Sequence, residues 1–136
     1  MRRIAILLAL ALAACAPPGE SGTAGPSSIE GEWIAERIAG TPVAPPGSVT
    51  MTISGATVSG NGGCNSYGGG VSIKGATIKF GDLASTMMAC VDDGQMRQEG
   101  DFHAALRDAS RYASPSPGRL EITGPGGRTV EFSRKP

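Results

Sequence analysis

The sequence predicts a small, mainly β (α+β) domain: a curled antiparallel sheet or barrel-like meander with one covering helix. Three observations carry that prediction. Short runs of alternating apolar and polar residues recur along the chain, punctuated by turns rich in glycine and proline. A single stretch, around Phe102 and Leu106, switches to helical spacing. The folded part, about a hundred residues, has room for one modest core, and aromatic residues make up only 4% of the chain.

The elements follow in order. Residues 30–38 (EGEWIAERI) place Trp33 among alternating polar and apolar residues and read as a first strand. Residues 41–47 (TPVAPPG) read as a loop, since their three prolines remove donors and interrupt a ladder. Val49, Met51 and Ile53 alternate with Thr50, Thr52 and Ser54, the pattern of a half-buried strand. Gly55 turns the chain into a strand that starts at residues 57–59. Residues 67–73 and 77–80, around Lys74-Gly75-Ala76, form a hairpin pattern. Residues 120–122 and 129–132 form another, around Gly124-Pro125-Gly126-Gly127. Phe102, Ala105, Leu106 and Ala109 share one helical face, and Asp92 with Gln95 is a candidate capping box. Gly100 inside that helix costs it about 1 kcal/mol relative to Ala. The inward candidates are Trp33, Val49, Met51, Ile53, Val71, Ile73, Ile78, Phe80, Leu120, Ile122, Val130 and Phe132.

Ahead of this domain, residues 1–14 read as a signal peptide, with a positive Met1-Arg2-Arg3 start followed by an unbroken apolar run. The run is short for a permanent membrane span. Cys15, directly after Leu12-Ala13-Ala14, resembles the acylated cysteine of a bacterial lipobox. Several acyl chains on Cys15 would anchor the mature chain in a membrane, and residues 15–28 would be its lipidated cysteine and flexible tether. Ala16, being other than Asp, points by resemblance to lipoprotein sorting to the outer membrane, facing the periplasm. Without Arg2 and Arg3 the chain carries ten basic and twelve acidic residues, scattered rather than in runs. That balance argues against a nucleic-acid surface.

Two local motifs stand out: Gly60-Asn61-Gly62-Gly63-Cys64-Asn65-Ser66-Tyr67-Gly68-Gly69 and, further on, Ser85-Thr86-Met87-Met88-Ala89-Cys90. Together with Trp33, the Glu99/Phe102/Leu106 helix and the last two strands, they resemble the META domain of HslJ-type envelope lipoproteins across residues 29–136. The residues carrying the resemblance are Gly63, Cys64, Asn65, Tyr67 and Gly68 in the first motif and Ser85, Thr86, Met88, Ala89 and Cys90 in the second. The resemblance implies a small barrel-like β domain with a packed helix. It also implies a theme of envelope stress, including heat induction and tolerance of the antibiotic novobiocin, with no established enzymatic reaction.

The residues of these motifs allow several chemistries. The glycines at 60, 62, 63, 68, 69 and 70 permit positive φ, tight turning and close backbone approach. A phosphate cradle would need the Lys-Ser/Thr and helix start of a P-loop, which do not follow here. Asn65 is suited to bonding backbone left unpaired at the bend, or to reading a ligand. Tyr67 is a core or rim aromatic. With Cys15 acylated in an oxidising compartment, Cys64 and Cys90 are best read as a disulfide. Against this stand a redox role, disfavoured by the lack of a C-x-x-C pair, and a Cys64–His103–Asn65 nucleophilic site. A zinc site on Cys64 and Cys90, with His103 and Asp92 or Asp93 as the two further ligands, is a third alternative. His103 reads more simply as a helix-flank or surface residue, and the Met87-Met88 pair as core filling rather than a contact surface.

The functional expectation is a monomeric, non-catalytic envelope domain that acts structurally, by binding an envelope protein, or in stress and antibiotic tolerance. The alternative is a binder of a small apolar ligand inside the curled sheet. No acid/base pair, nucleophile with an obvious base, or cofactor signature is legible in the sequence.

Overall fold

The computed structural model describes residues 28–136. The signal peptide, Cys15 and nearly all of the tether lie outside the described residues. The elements are β1 (Gly31–Ile38), β2 (Thr41–Pro42), β3 (Thr50–Ser54), β4 (Thr57–Asn61), β5 (Ser66–Lys74), β6 (Thr77–Phe80), β7 (Ala84–Ser85), α1 (Asp93–Arg107), β8 (Arg111–Ala113), β9 (Arg119–Thr123) and β10 (Thr129–Arg134). All pairings are antiparallel, in the order β10-β9-β8-β6-β5-β4-β3-β1. β1 then pairs β10 as well (Trp33↔Arg134, Ala35↔Phe132, Ile38↔Val130), which closes eight strands into a barrel. β2 extends β1 and β7 extends the edge of β5.

Tight turns set the registers. Gly55 and Gly75 adopt φ of +57° and +56° at the β3–β4 and β5–β6 corners, a conformation that two-residue hairpins require and side chains resist. The period-2 pattern then sends Trp33, Ala35, Met51, Ile53, Val58, Tyr67, Val71, Ile78, Leu120, Ile122, Val130 and Phe132 inward, all buried. Ile73 and Phe80, expected inside, are only half-buried and pack at the margin of the core, Ile73 toward the hairpin turn and Phe80 at the opposite end of the β5–β6 ladder. The seam between β6 and β8 is narrow: Thr77 pairs Arg111, with Ile78 N–H to the Ser110 carbonyl and Tyr112 N–H to the Ala76 carbonyl. The helix α1 packs against β1, β6 and β10.

Phe102 drives that packing. It is fully buried, edge-on to Tyr67 at 5.5 Å and to Phe132 at 6.4 Å between ring centroids. Burying a side chain of this size stabilises by about 1.5–3 kcal/mol. Asp92 caps the helix, but its carboxylate accepts from Gly94 N–H at 2.6 Å, so the cap is a simple one rather than the expected box with Gln95. Ala109 is buried as its spacing predicts, although the helix has already ended at Arg107. The region expected to be a loop over residues 41–47 contains β2, which begins after an Ala39-Gly40 turn.

At the base of the barrel, Arg134 stacks over Trp33 at 4.3 Å and donates to the Glu30 carbonyl at 2.9 Å, joining the last strand to the start of the domain. The Gly31↔Ile53 pair lies at this end of the sheet, and the Val49↔Gly62 bridge lies at the other. The strands therefore hold Ser28 and the first motif at opposite ends.

Candidate functional site

Both sequence motifs converge at the far end, where they form one unit. Gly60 and Gly62 are required by close approach. A Cβ at Gly60 would collide with the Thr50 carbonyl, and one at Gly62 would lie 2.8 Å from His103 Nε2 and 2.9 Å from Glu99 Cγ. Gly63 alone of the motif glycines has positive φ, +120°. The turn closes through Gly62 N–H to the Asn65 carbonyl and Gly63 N–H to Asn61 Oδ1, both 2.8 Å. Gly68 lies between two strands, paired with Ser59 on β4 and Ala84 on β7.

Asn65 joins the first motif to the second. Its Oδ1 accepts from Met88 N–H at 2.7 Å and from the Thr86 hydroxyl at 3.0 Å. Its Nδ2 donates to the Met88 carbonyl and to Glu99 Oε2, both at 3.3 Å, and its own N–H points at the Glu99 carboxylate. The side chain, expected to bond backbone left unpaired at its own bend, bonds backbone of the other motif instead, at Met88. Thr86 completes the join: its N–H donates to the Ser66 carbonyl at 3.0 Å, and Ser66 N–H donates to its hydroxyl at 3.2 Å. Ser85 pairs Tyr67 and donates its hydroxyl to the Thr86 carbonyl, while Ala89 is exposed in the loop between Met88 and Cys90. Tyr67 belongs to the core. Its hydroxyl donates to the Thr50 carbonyl at 2.9 Å, and burial raises its pKa.

Cys64 and Cys90 are disulfide-bonded, with an S–S distance of 2.09 Å and Cα atoms 5.7 Å apart. The bond removes the free thiol that a Cys64–His103–Asn65 nucleophile would need. The alternative zinc set is not assembled either: Asp92 caps the start of α1, and His103 is some three turns further along, about 16 Å at the helical rise. The ligand atoms that do gather are Sγ of Cys64, Sγ of Cys90 and a carboxylate oxygen of Glu99, all within 4.8 Å of one another.

Two expectations are corrected here. His103 is buried rather than a surface residue, because the helix turns it under Gly62, where its Nε2 has no hydrogen-bond partner among the described residues and lies 3.8 Å from Glu99 Oε1. Desolvation lowers its pKa, against an upward pull from Glu99 and with a smaller push from Arg107. Met87 and Met88 do not fill the core. They are 96% and 64% exposed, alongside Val91 at 104% and Met96 at 52%. The barrel interior is already occupied by Phe102, Phe132, Met51 and the aliphatic strand residues, and the loop carrying Met87 and Met88 runs outside it.

Met87, Met88 and Met96 line an open groove of about 580 Å³ between that loop and α1, with Asn65, Glu99, His103 and the disulfide's Cys90 also contributing to its lining. Sequence reasoning missed Glu99 and Met96 as site residues, and named His103 only for a nucleophilic and a zinc site that are not assembled. The available signal was Glu99 and His103, polar residues four apart on the helix face that carries Phe102 and Leu106.

A closed antiparallel barrel, plugged by one helix and stapled at one end by two short motifs, is the class of protein these features define. The chain belongs to the META domain family, which it matches over residues 27–136. It is similar to a protein from Burkholderia xenovorans solved by NMR, at 27% identity and a TM-score of 0.62, over 78% of this chain and 82% of that one. Its fold is also similar to that of a DUF4847 family protein from Bacteroides vulgatus seen in a crystal structure, at 15% identity and a TM-score of 0.61, over 78% of this chain and 93% of that one. No curated protein matches the sequence significantly.

Proposed function

We propose that this META domain is a non-catalytic, HslJ-like envelope lipoprotein, held by acylated Cys15 at the outer membrane and facing the periplasm. In this reading its role in envelope stress or antibiotic tolerance is to bind an apolar segment of another envelope protein in the methionine-lined groove. The observation that carries the reading is the exposure of Met87, Met88 and Met96 around one groove whose framework is hydrogen-bonded and disulfide-linked. Large apolar side chains gathered on one face mark an interaction surface, and methionine adapts its shape to varied apolar partners. The groove also lies at the end of the barrel opposite Ser28, so an anchored chain would present it away from its attachment. A ligand within the barrel has less support, because side chains fill the interior.

Photo-cross-linking in intact cells tests this. A photoreactive residue at Met87 should yield a discrete adduct with another polypeptide, and one at exposed Lys79 on the barrel wall should not. No adduct at position 87, or equal adducts at both positions, would count against the proposal.

A further inference from the structure

The group at the junction of the two motifs has a second chemistry. Glu99 is a buried carboxylate whose partners are uncharged amide donors and His103; among the described residues no Lys or Arg pairs with it. Its Oε2 lies 3.8 Å from Cys90 Sγ. In a tetrahedral site with metal–sulfur bonds of about 2.3 Å and metal–oxygen bonds of about 2.0–2.2 Å, a sulfur and an oxygen ligand are roughly 3.5 Å apart and two sulfurs roughly 3.8 Å. Glu99 and Cys90 are therefore already close to ligand spacing. Both sulfurs lie within 4.8 Å of the carboxylate oxygen, and once the bond is reduced side-chain rotation, with the Cα atoms at 5.7 Å, lets them take up ligand spacing.

We propose that Cys64, Cys90 and Glu99 form a binding site for a thiophilic divalent cation of the zinc type once the disulfide is reduced. The two thiolates and Glu99 Oε2 supply three ligands, and the fourth position opens onto the groove, which Cys90 and Glu99 help to line. Asn65, through its N–H and Nδ2, holds the carboxylate in place, and His103 Nε2 faces its other oxygen at 3.8 Å. The hydrogen bonds from Asn65 are the outer-shell support that orients a metal-ligating carboxylate. Reduction takes two electrons and two protons from a dithiol, itself oxidised to a disulfide, or in vitro from a phosphine, which becomes its oxide with oxygen from water. Metal binding then releases the two thiol protons to solvent. The motifs stay joined in both states, by sulfur–sulfur or by sulfur–metal–sulfur bonds.

The test uses the purified protein, phosphine-reduced under argon and titrated with Co²⁺ as a spectroscopic probe. One equivalent should produce a thiolate-to-cobalt charge-transfer band, abolished by excess Zn²⁺ and absent from the oxidised protein. Cys64→Ser should remove the band. Glu99→Gln should retain a weaker site, with affinity lowered by more than about tenfold. If reduction unfolds the chain, adding Zn²⁺ should restore the far-ultraviolet circular dichroism of the native fold. A reduced, folded protein with no band, a Glu99→Gln variant of unchanged affinity, or a reduced chain that Zn²⁺ fails to refold would overturn the proposal.

Discussion

Replacing Cys64 and Cys90 together by alanine is the perturbation whose cost follows most directly from the structure. The bond joins residues 26 apart. In the chain-entropy treatment a loop of that length restricts the unfolded chain by about 12 cal/mol/K, which is about 3.5 kcal/mol at 25 °C. The native arrangement does not depend on the sulfurs alone. Asn65 in the first motif still accepts from Met88 N–H and the Thr86 hydroxyl of the second, and Glu99 still accepts from Asn65. The double variant should therefore keep its native near-ultraviolet spectrum while losing about 3–4 kcal/mol in urea unfolding. Its denaturant slope should rise, because the cross-link compacts the unfolded state and its loss exposes more surface on unfolding. A stability change below about 1 kcal/mol would refute the reasoning. So would loss of the native spectrum before denaturant is added, which would show that the hydrogen bonds cannot hold the junction.

Two glycines should respond in opposite directions. Gly100 lies within α1 with open space where a Cβ would go, so Gly100→Ala should stabilise by about 1 kcal/mol and raise Tm by several degrees. At Gly60 the added methyl meets the Thr50 carbonyl, and Gly60→Ala should cost at least about 2 kcal/mol in the same thermal melts. His103 should make stability pH-dependent. Burial lowers its folded pKa below the ordinary 6.5, so as pH falls the unfolded chain takes up this proton first. The stability from the neutral ring is complete above about pH 6.5 and declines as pH drops from there toward the lowered folded value. His103→Gln should flatten that limb in urea midpoints measured across the window, and an unchanged slope would show that the ring does not titrate differently on folding.

How much was legible in advance depended on whether a signal was local. The long strands were, because Trp33, Met51, Ile53, Leu120, Ile122, Val130 and Phe132 alternate with polar residues and each faces the core. β8 was not, since Arg111-Tyr112-Ala113 offers too short a pattern, and β7 consists of only two residues held by pairing with β5. The motif pair showed which segments matter, but not that Asn65 is the join between them, because its partners are 21 to 34 residues away in sequence. Met87 and Met88 misled because apolar residues in a small domain are expected inside, whereas this core was already filled by strand residues and Phe102. Glu99 and His103 were obscured for the converse reason: their spacing on the helix's apolar face is visible in the sequence, but what they meet there depends on the turn that covers them.

Methionine oxidation footprinting in living cells tests the central claim most directly, namely that the exposed face beside the stapled motifs is an occupied surface in the envelope. In purified protein, brief peroxide treatment should oxidise Met87 and Met88 readily and spare Met51, which is fully buried and serves as the internal standard. In cells, the account predicts that Met87 and Met88 are protected several-fold relative to the purified domain, with Met51 unchanged. Equal oxidation of Met87 and Met88 in both settings would contradict it.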